Sequence, residues 1–176
     1  MPTADPDVVL VDEQDREVGV APKSEVHRTG QLHRAFSVFL QDLEGRVLLQ
    51  RRAAGKYHSP GLWANTCCSH PHPGEALETA ARRRLREEMG IECELQLACA
   101  FVYHADLGAG LVEHEDDHVF LGTSALEPKP DPAEVDDWRW VSPRELETDL
   151  ALHPGRYVAW LPLAFRELRR RGLLAG

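Results

Sequence analysis

Long apolar runs are missing from this sequence. Nowhere in its 176 residues do about eighteen apolar residues follow one another, and the opening MPTADPDVVLVDEQDREVG lacks a basic leader ahead of an apolar core. Neither a membrane span nor a secretory signal is therefore expected. Cysteine is scarce too, at four residues: Cys67, Cys68, Cys93 and Cys99. The first two are adjacent, and side chains that diverge along an extended segment rarely close a bridge, so reduced thiols are expected. Positive charge is in deficit, 20 basic against 29 acidic residues for a net charge of -9, which disfavours nonspecific attraction to nucleic acid or anionic lipid. No internal repeat or low-complexity tract is found. What is present, 43% hydrophobic residues, suffices for one core. The expectation is a cytoplasmic protein with a single domain over 1–176, in which 1–7 form a flexible tail.

Turn and periodicity signals set out the elements. Val8–Val11 and REVGVA flank DEQD and read as a hairpin, and Ala35–Gln41 and Arg46–Gln50 flank DLEG as a second one. From Glu75 to Met89 the spacing of Leu77, Ala81 and Leu85 predicts a helix stopped by Gly90. Strands are predicted at Leu95–Tyr103, His118–Thr123 and Trp138–Val141. Ser142, Pro143 and Glu145 form a capping box for a short helix, and a last helix starts near Pro162. Strands mixed with a few helices imply α+β, or a mixed-sheet α/β fold.

Residues two apart in an extended segment point the same way. In WANTCCSHPHPGE, Cys68 and His70 then share a face and Cys67 takes the other. A cysteine beside a cationic or metal-rich site can shuttle a proton, whereas one turned into the core is an inert small hydrophobe. In VEHED, Glu113 and Glu115 likewise share a face. Paired carboxylates need a cation or a proton, although solvated acidic patches are common. His27, His33 and His70 offer nitrogen ligands that, with these carboxylates, suit Mn, Zn or Fe. Two basic groups, Arg51/Arg52/Lys56 and Arg82/Arg83/Arg84/Arg86, are either solvated faces or a site for a small anion.

The helix EALETAARRRLREEMGI ends in the pattern of a Nudix box, G-x5-E-x7-R-E-U-x-E-E-x-G-U, with U aliphatic. Glu75, Arg83, Leu85, Glu87, Glu88, Gly90 and Ile91 match it. Ser69 replaces the first glycine and Arg84 the first glutamate of the R-E pair, which removes a metal ligand and adds an anion-binding cation. Together with RAFSVFL, NTCCSHP and YHADLGAGLVEHE, the chain from about Val8 to the last helix resembles the type I isopentenyl diphosphate isomerases, a family built on the Nudix fold.

The resemblance implies a mixed β-sheet flanked by helices and an enzyme that shifts the double bond of isopentenyl diphosphate to give dimethylallyl diphosphate. Cys68 and Glu115 match its acid/base residues, with Tyr103 assisting. His27, His33, His70, Glu113 and Glu115 match a first metal site, for Mn²⁺ or Zn²⁺, and Glu88 matches a ligand of Mg²⁺ bound with the diphosphate. Lys23, Arg52, Lys56 and Arg84 match the diphosphate cations. Trp160 matches an aromatic over the hydrocarbon, and Trp63 is a second candidate π face. The implied partners are small allylic and homoallylic diphosphates, with no nucleic acid or membrane, in a monomer or weak homodimer. A Nudix diphosphohydrolase and a noncatalytic metal-stabilised binding module are the alternatives.

Overall fold

The computed structural model describes residues 5–174. Among these, strands β1 (Asp7–Val11) and β2 (Glu17–Pro22) lead into helix α1 (Lys23–Thr29), followed by β3 (His33–Gln41), β4 (Val47–Arg52), β5 (Trp63–Ala64) and β6 (Cys67–Ser69). Helix α2 (Leu77–Met89), strands β7 (Leu95–Gly108), β8 (Leu111–Thr123) and β9 (Val135–Val141), and helices α3 (Pro143–Leu152) and α4 (Leu161–Arg170) complete the chain. Of the expected N-terminal tail, 1–4 lie outside the described residues; Pro6 O accepts from Lys23 N, and Asp7 opens β1.

The fold is a mixed sheet with helices on both faces, as expected. Alternation along the strands divides the core. Phe36, Val38 and Leu40 of β3, Leu48 of β4 and Cys67 of β6 face α2, where Ala80, Ala81, Leu85 and Met89 meet them. Phe39, Val47, Leu49 and Ala64 face the other way, onto Leu146 of α3 and Leu161, Ala164, Phe165 and Leu168 of α4. Each layer closes because the period of two in the strands meets the helical repeat of the covering helix. The four cysteines are unbridged.

Both early turns are built alike. Asp12 Oδ1 accepts from the backbone N–H of Gln14 and Arg16 at 2.9 and 3.0 Å, and Asp42 Oδ1 from those of Glu44 and Arg46 at 3.0 and 2.8 Å. An aspartate bonding its own turn is the reason this residue type recurs there. The second hairpin nevertheless departs from expectation. β3 and β4 pair only at Gln41–Val47 and then diverge, β3 running parallel to β8 and β4 antiparallel to β9. The turn chemistry is local, whereas pairing beyond it is decided by which strands complete the two apolar faces.

Three further elements differ from expectation. α2 begins at Leu77, not at Glu75, because Glu75 N closes a turn onto His72 O. β7 and β8 are one long hairpin through Gly108, Ala109 and Gly110, all at positive φ. The helix α1 had no apolar period to reveal it. Gly90 ends α2 at φ 65°, where an added Cβ would lie 2.7 Å from Lys129 O, so both conformation and space demand glycine.

Candidate active site

Three strands set the centre of the site. Glu115 on β8 is paired in register with His33 of β3 on one side and Tyr103 of β7 on the other. β6 lies along the opposite edge of β3, where Ser37 pairs with Cys68. Cys68 and Glu115 thus come from strands flanking β3, and Lys23 and His27, one turn apart on α1, share the helix face that approaches β8.

A narrow cavity of about 50 Å³ is lined by Cys68, His70, Tyr103, Glu113, Glu115 and Trp160, with Lys23, Arg52, Lys56, Arg84 and Glu88 at its polar side. At roughly 10–15 Å³ per water-sized group, it holds about four such groups. It adjoins a wider cleft of about 520 Å³ that shares Lys23, Lys56, His70 and Arg84 with it. Every sequence-predicted site residue therefore lines the cavity except His27 and His33, buried behind it, and Trp63. Trp63 is a correction: it pairs with Arg51 in register and its ring lies 4.5 Å from the Arg139 guanidinium, so the indole belongs to the rim of β4, β5 and β9. As predicted for an extended segment, Cys67 is buried against α2 while Cys68 points into the cavity.

His27, His33, His70, Glu113 and Glu115 each direct one ligating atom into a space where all five lie within 4.8 Å of one another. His27 Nε2 and Glu113 Oε2 are buried without hydrogen-bond partners and stand 3.4 Å apart. His33 Nδ1 bonds Gln31 O at 2.9 Å, which turns Nε2 inward, to within 3.2 Å of His70 Nε2. Burial lowers His27 to about 2 and His70 to about 4, so both imidazoles are neutral at about pH 7. Burial and the adjoining Glu115 raise Glu113 far above the usual carboxyl range. Burial also opposes ionisation of Glu115, but hydrogen bonds from His33 and His70 outweigh it and hold this carboxyl low. Orphaned donor atoms and converging carboxylates fit a divalent cation held by three nitrogens and two carboxylates.

Around this cluster, Tyr103 Oη donates to Glu115 Oε2 at 2.7 Å, and burial raises its phenol so that it stays protonated. Burial pushes the Cys68 thiol up to about 12, keeping its proton at neutral pH. Glu88 is fixed by Gln50 Nε2 at 2.9 Å and by Arg84 Nη2 at 2.6 Å. Arg84 Nη1 also reaches Glu87 at 2.7 Å, so the residue that departs from the box pattern clamps two of the box carboxylates.

Sequence reasoning missed several partners. Tyr57 bonds His27 Nδ1, and His58 lines the cavity with its ring 6.0 Å from that of Trp160. Both stand in a loop without period, and only the run KYHSPGLW pointed to them. Asp117, next on the Glu113/Glu115 face, accepts from Ser37 Oγ at 2.8 Å; the alternation of VEHEDD could have singled it out.

Fold and site together define a protein of the NUDIX class, and the NUDIX domain family matches residues 31–161. Among solved structures, DR0079 of Deinococcus radiodurans superposes with a TM-score of 0.78 at 22% identity, covering 92% of this chain and 98% of that one. The MutT protein of Methanosarcina mazei does so at 0.65 and 21%, over 80% and 95%. These likenesses concern the fold alone. Isopentenyl-diphosphate Delta-isomerase 2 of Aromatoleum aromaticum is 56% identical over 154 residues, 88% of this chain and 82% of that protein. The Isopentenyl-diphosphate Delta-isomerase of Nocardia farcinica is 55% identical over 156 residues, 88% and 89% of the two chains. The chain belongs to the isopentenyl-diphosphate Delta-isomerase family of NUDIX-domain proteins.

Proposed function

We propose that this enzyme interconverts isopentenyl diphosphate and dimethylallyl diphosphate by a proton addition and a proton removal, with the diphosphate retained. The observation that carries the reading is the meeting of Cys68 with the Glu115–Tyr103 pair across one narrow cavity that opens onto a cationic cleft. A proton adds to the terminal alkene carbon, the π bond opens to a tertiary cation, and loss of a proton from C2 forms the internal alkene. Cys68 serves one transfer and Glu115 the other, their roles exchanging with direction. Tyr103 holds the Glu115 carboxylate and keeps its own proton available as a hydrogen-bond donor.

Arg52, Lys56, Lys23 and Arg84 hold the diphosphate, so that binding energy at the cleft positions the remote alkene. Trp160 presents a π face to the cation, and the narrowness of the cavity limits the water that could capture it once the substrate fills it. His27, His33, His70, Glu113 and Glu115 would hold Mn²⁺ or Zn²⁺, and Glu88 would help hold Mg²⁺ with the diphosphate. A bound divalent ion supplies positive charge that orients Glu115 and neutralises phosphate oxygens. Hydrolysis is not favoured, because Arg84 lies across Glu87 and Glu88 and leaves fewer free carboxylate oxygens for a hydrolytic ion cluster.

Among the described residues no helix is long and apolar enough to cross a membrane. The same reading makes the chain one domain over 1–176, a cytoplasmic monomer or weak homodimer that acts on small diphosphates without nucleic-acid or membrane partners. In deuterated water with Mg²⁺, isopentenyl diphosphate should yield dimethylallyl diphosphate carrying solvent deuterium. Release of phosphate or a monophosphate as the main product would refute the reading.

A further inference from the structure

Between β5 and β6 one side chain touches both walls of the cavity without entering it. Asn65 is fully buried. Its Oδ1 accepts from Trp160 Nε1 at 3.1 Å, and its Nδ2 donates to Cys67 O at 2.8 Å and Val38 O at 3.2 Å. The amide orientation is fixed by its partners, since an indole N–H only donates and a carbonyl only accepts. The carbonyl of Cys67 belongs to the peptide that also carries the N–H of Cys68, and Val38 is the β3 residue in register with Cys67.

We infer that Asn65 is a positioning residue: one buried amide holds the Trp160 indole and the peptide bearing Cys68 in a fixed relation, so that the thiol meets the carbon that gains or loses the proton while the π face lies against the adjoining cationic carbon. The inference rests on the roles proposed above for Cys68 and Trp160. No other side chain of this size meets the demand. Aspartate keeps the acceptor for Trp160 and loses both donors to the carbonyls. Leucine fills the space but leaves the indole N–H without its acceptor and removes the donor to both carbonyls. Glutamine is one methylene too long for a fully buried site. Asn65 touches none of the diphosphate cations, so its loss should act on the chemical step and leave anchoring of the substrate alone.

The test is a kinetic cycle of Asn65→Leu, Trp160→Phe and the double variant, with isopentenyl diphosphate as substrate. The folded fraction of each sample is measured by circular dichroism and applied to the enzyme concentration. Asn65→Leu is expected to lower kcat by roughly tenfold to a hundredfold, the scale of a misplacement near the reacting groups, with KM changed by less than about threefold. In the Trp160→Phe background the same substitution should cost distinctly less, because the indole bond is already gone. If Asn65→Leu does not fold, Asn65→Asp enters the same cycle, and it should keep more of the coupling to Trp160 than of the turnover. Unchanged kcat, a rise in KM alone, or strictly multiplicative effects in the double variant would overturn the inference. A wild-type protein that does not isomerise the substrate would instead overturn the proposed function.

Discussion

Replacing each member of the cysteine doublet by alanine should separate stability from turnover. Cys67 is completely buried among Phe36, Val38, Leu85 and their neighbours, so Cys67→Ala deletes a group somewhat larger than a methylene. At about 0.8 kcal/mol per buried methylene plus a small cavity term, the cost is about 1–1.5 kcal/mol. For a chain of this size that lowers the thermal midpoint by about 2–6 °C, while turnover remains within about threefold of wild type because the residue faces away from the cavity. Cys68 lines the cavity and keeps its proton. Cys68→Ala should shift the midpoint by less than about 2 °C, since the side chain is not fully buried. It should lower kcat by at least about a hundredfold, the scale for removing a general acid or base, which is about 2.7 kcal/mol of barrier. Melting by circular dichroism and turnover by product analysis decide the matter on the same two preparations. Equal losses of activity in the two variants, or an active Cys68→Ala, would refute the assignment of the sulfurs to opposite faces.

Two further outcomes follow from the ionised groups. Glu75 is held down to about 2, chiefly by hydrogen bonds from Arg83, with burial opposing. Because this folded value lies below the unfolded one of about 4.3, the stabilisation is fully present above that pH and is lost as pH falls toward 2. Solvent around the pair reduces it to about 1 kcal/mol. Urea midpoints of wild type and Glu75→Gln should therefore differ at pH 6 and converge as pH falls below about 4; a constant gap would contradict the ion-pair account. Stripping divalent ions should also lower the thermal midpoint, because Glu113 and Glu115 then lose the charge that offsets their burial. At a free ion concentration of about a hundred times Kd, linkage contributes about 2.7 kcal/mol. Identical melts with and without chelator would refute a structural contribution from the ion.

Short-range signals were legible where the chemistry is local. The two aspartate turns, the Ser142 capping box and the Gly90 stop were readable because each rests on neighbours a few positions away. The faces of NTCCSH and VEHED followed from strand alternation alone. Pairing of β3 with β8 was not legible, since it depends on apolar surface contributed by distant segments. The same limit hid Tyr57, His58 and Asn65, whose partners lie on other elements. Trp63 was misplaced because an aromatic residue near a site motif says nothing of which side of a two-residue strand it takes.

The parallel register that sets His33 beside Glu115 joins segments made far apart in time. Ser37 and Asp117, bonded across the same pair of strands, are 80 positions apart. A nascent chain leaving the ribosome exposes His27, His33 and His70 well before Glu113 and Glu115 exist, and three imidazoles without carboxylates do not make the five-ligand cage. In the metal site proposed above, ion loading would wait until β8 is laid against β3, so its free energy would accrue to the finished fold. A product cut short before β8 would lack two of the five proposed ligands and one member of the proposed acid/base pair. The register that brings these segments together thus makes completion of the sheet and assembly of the site one event.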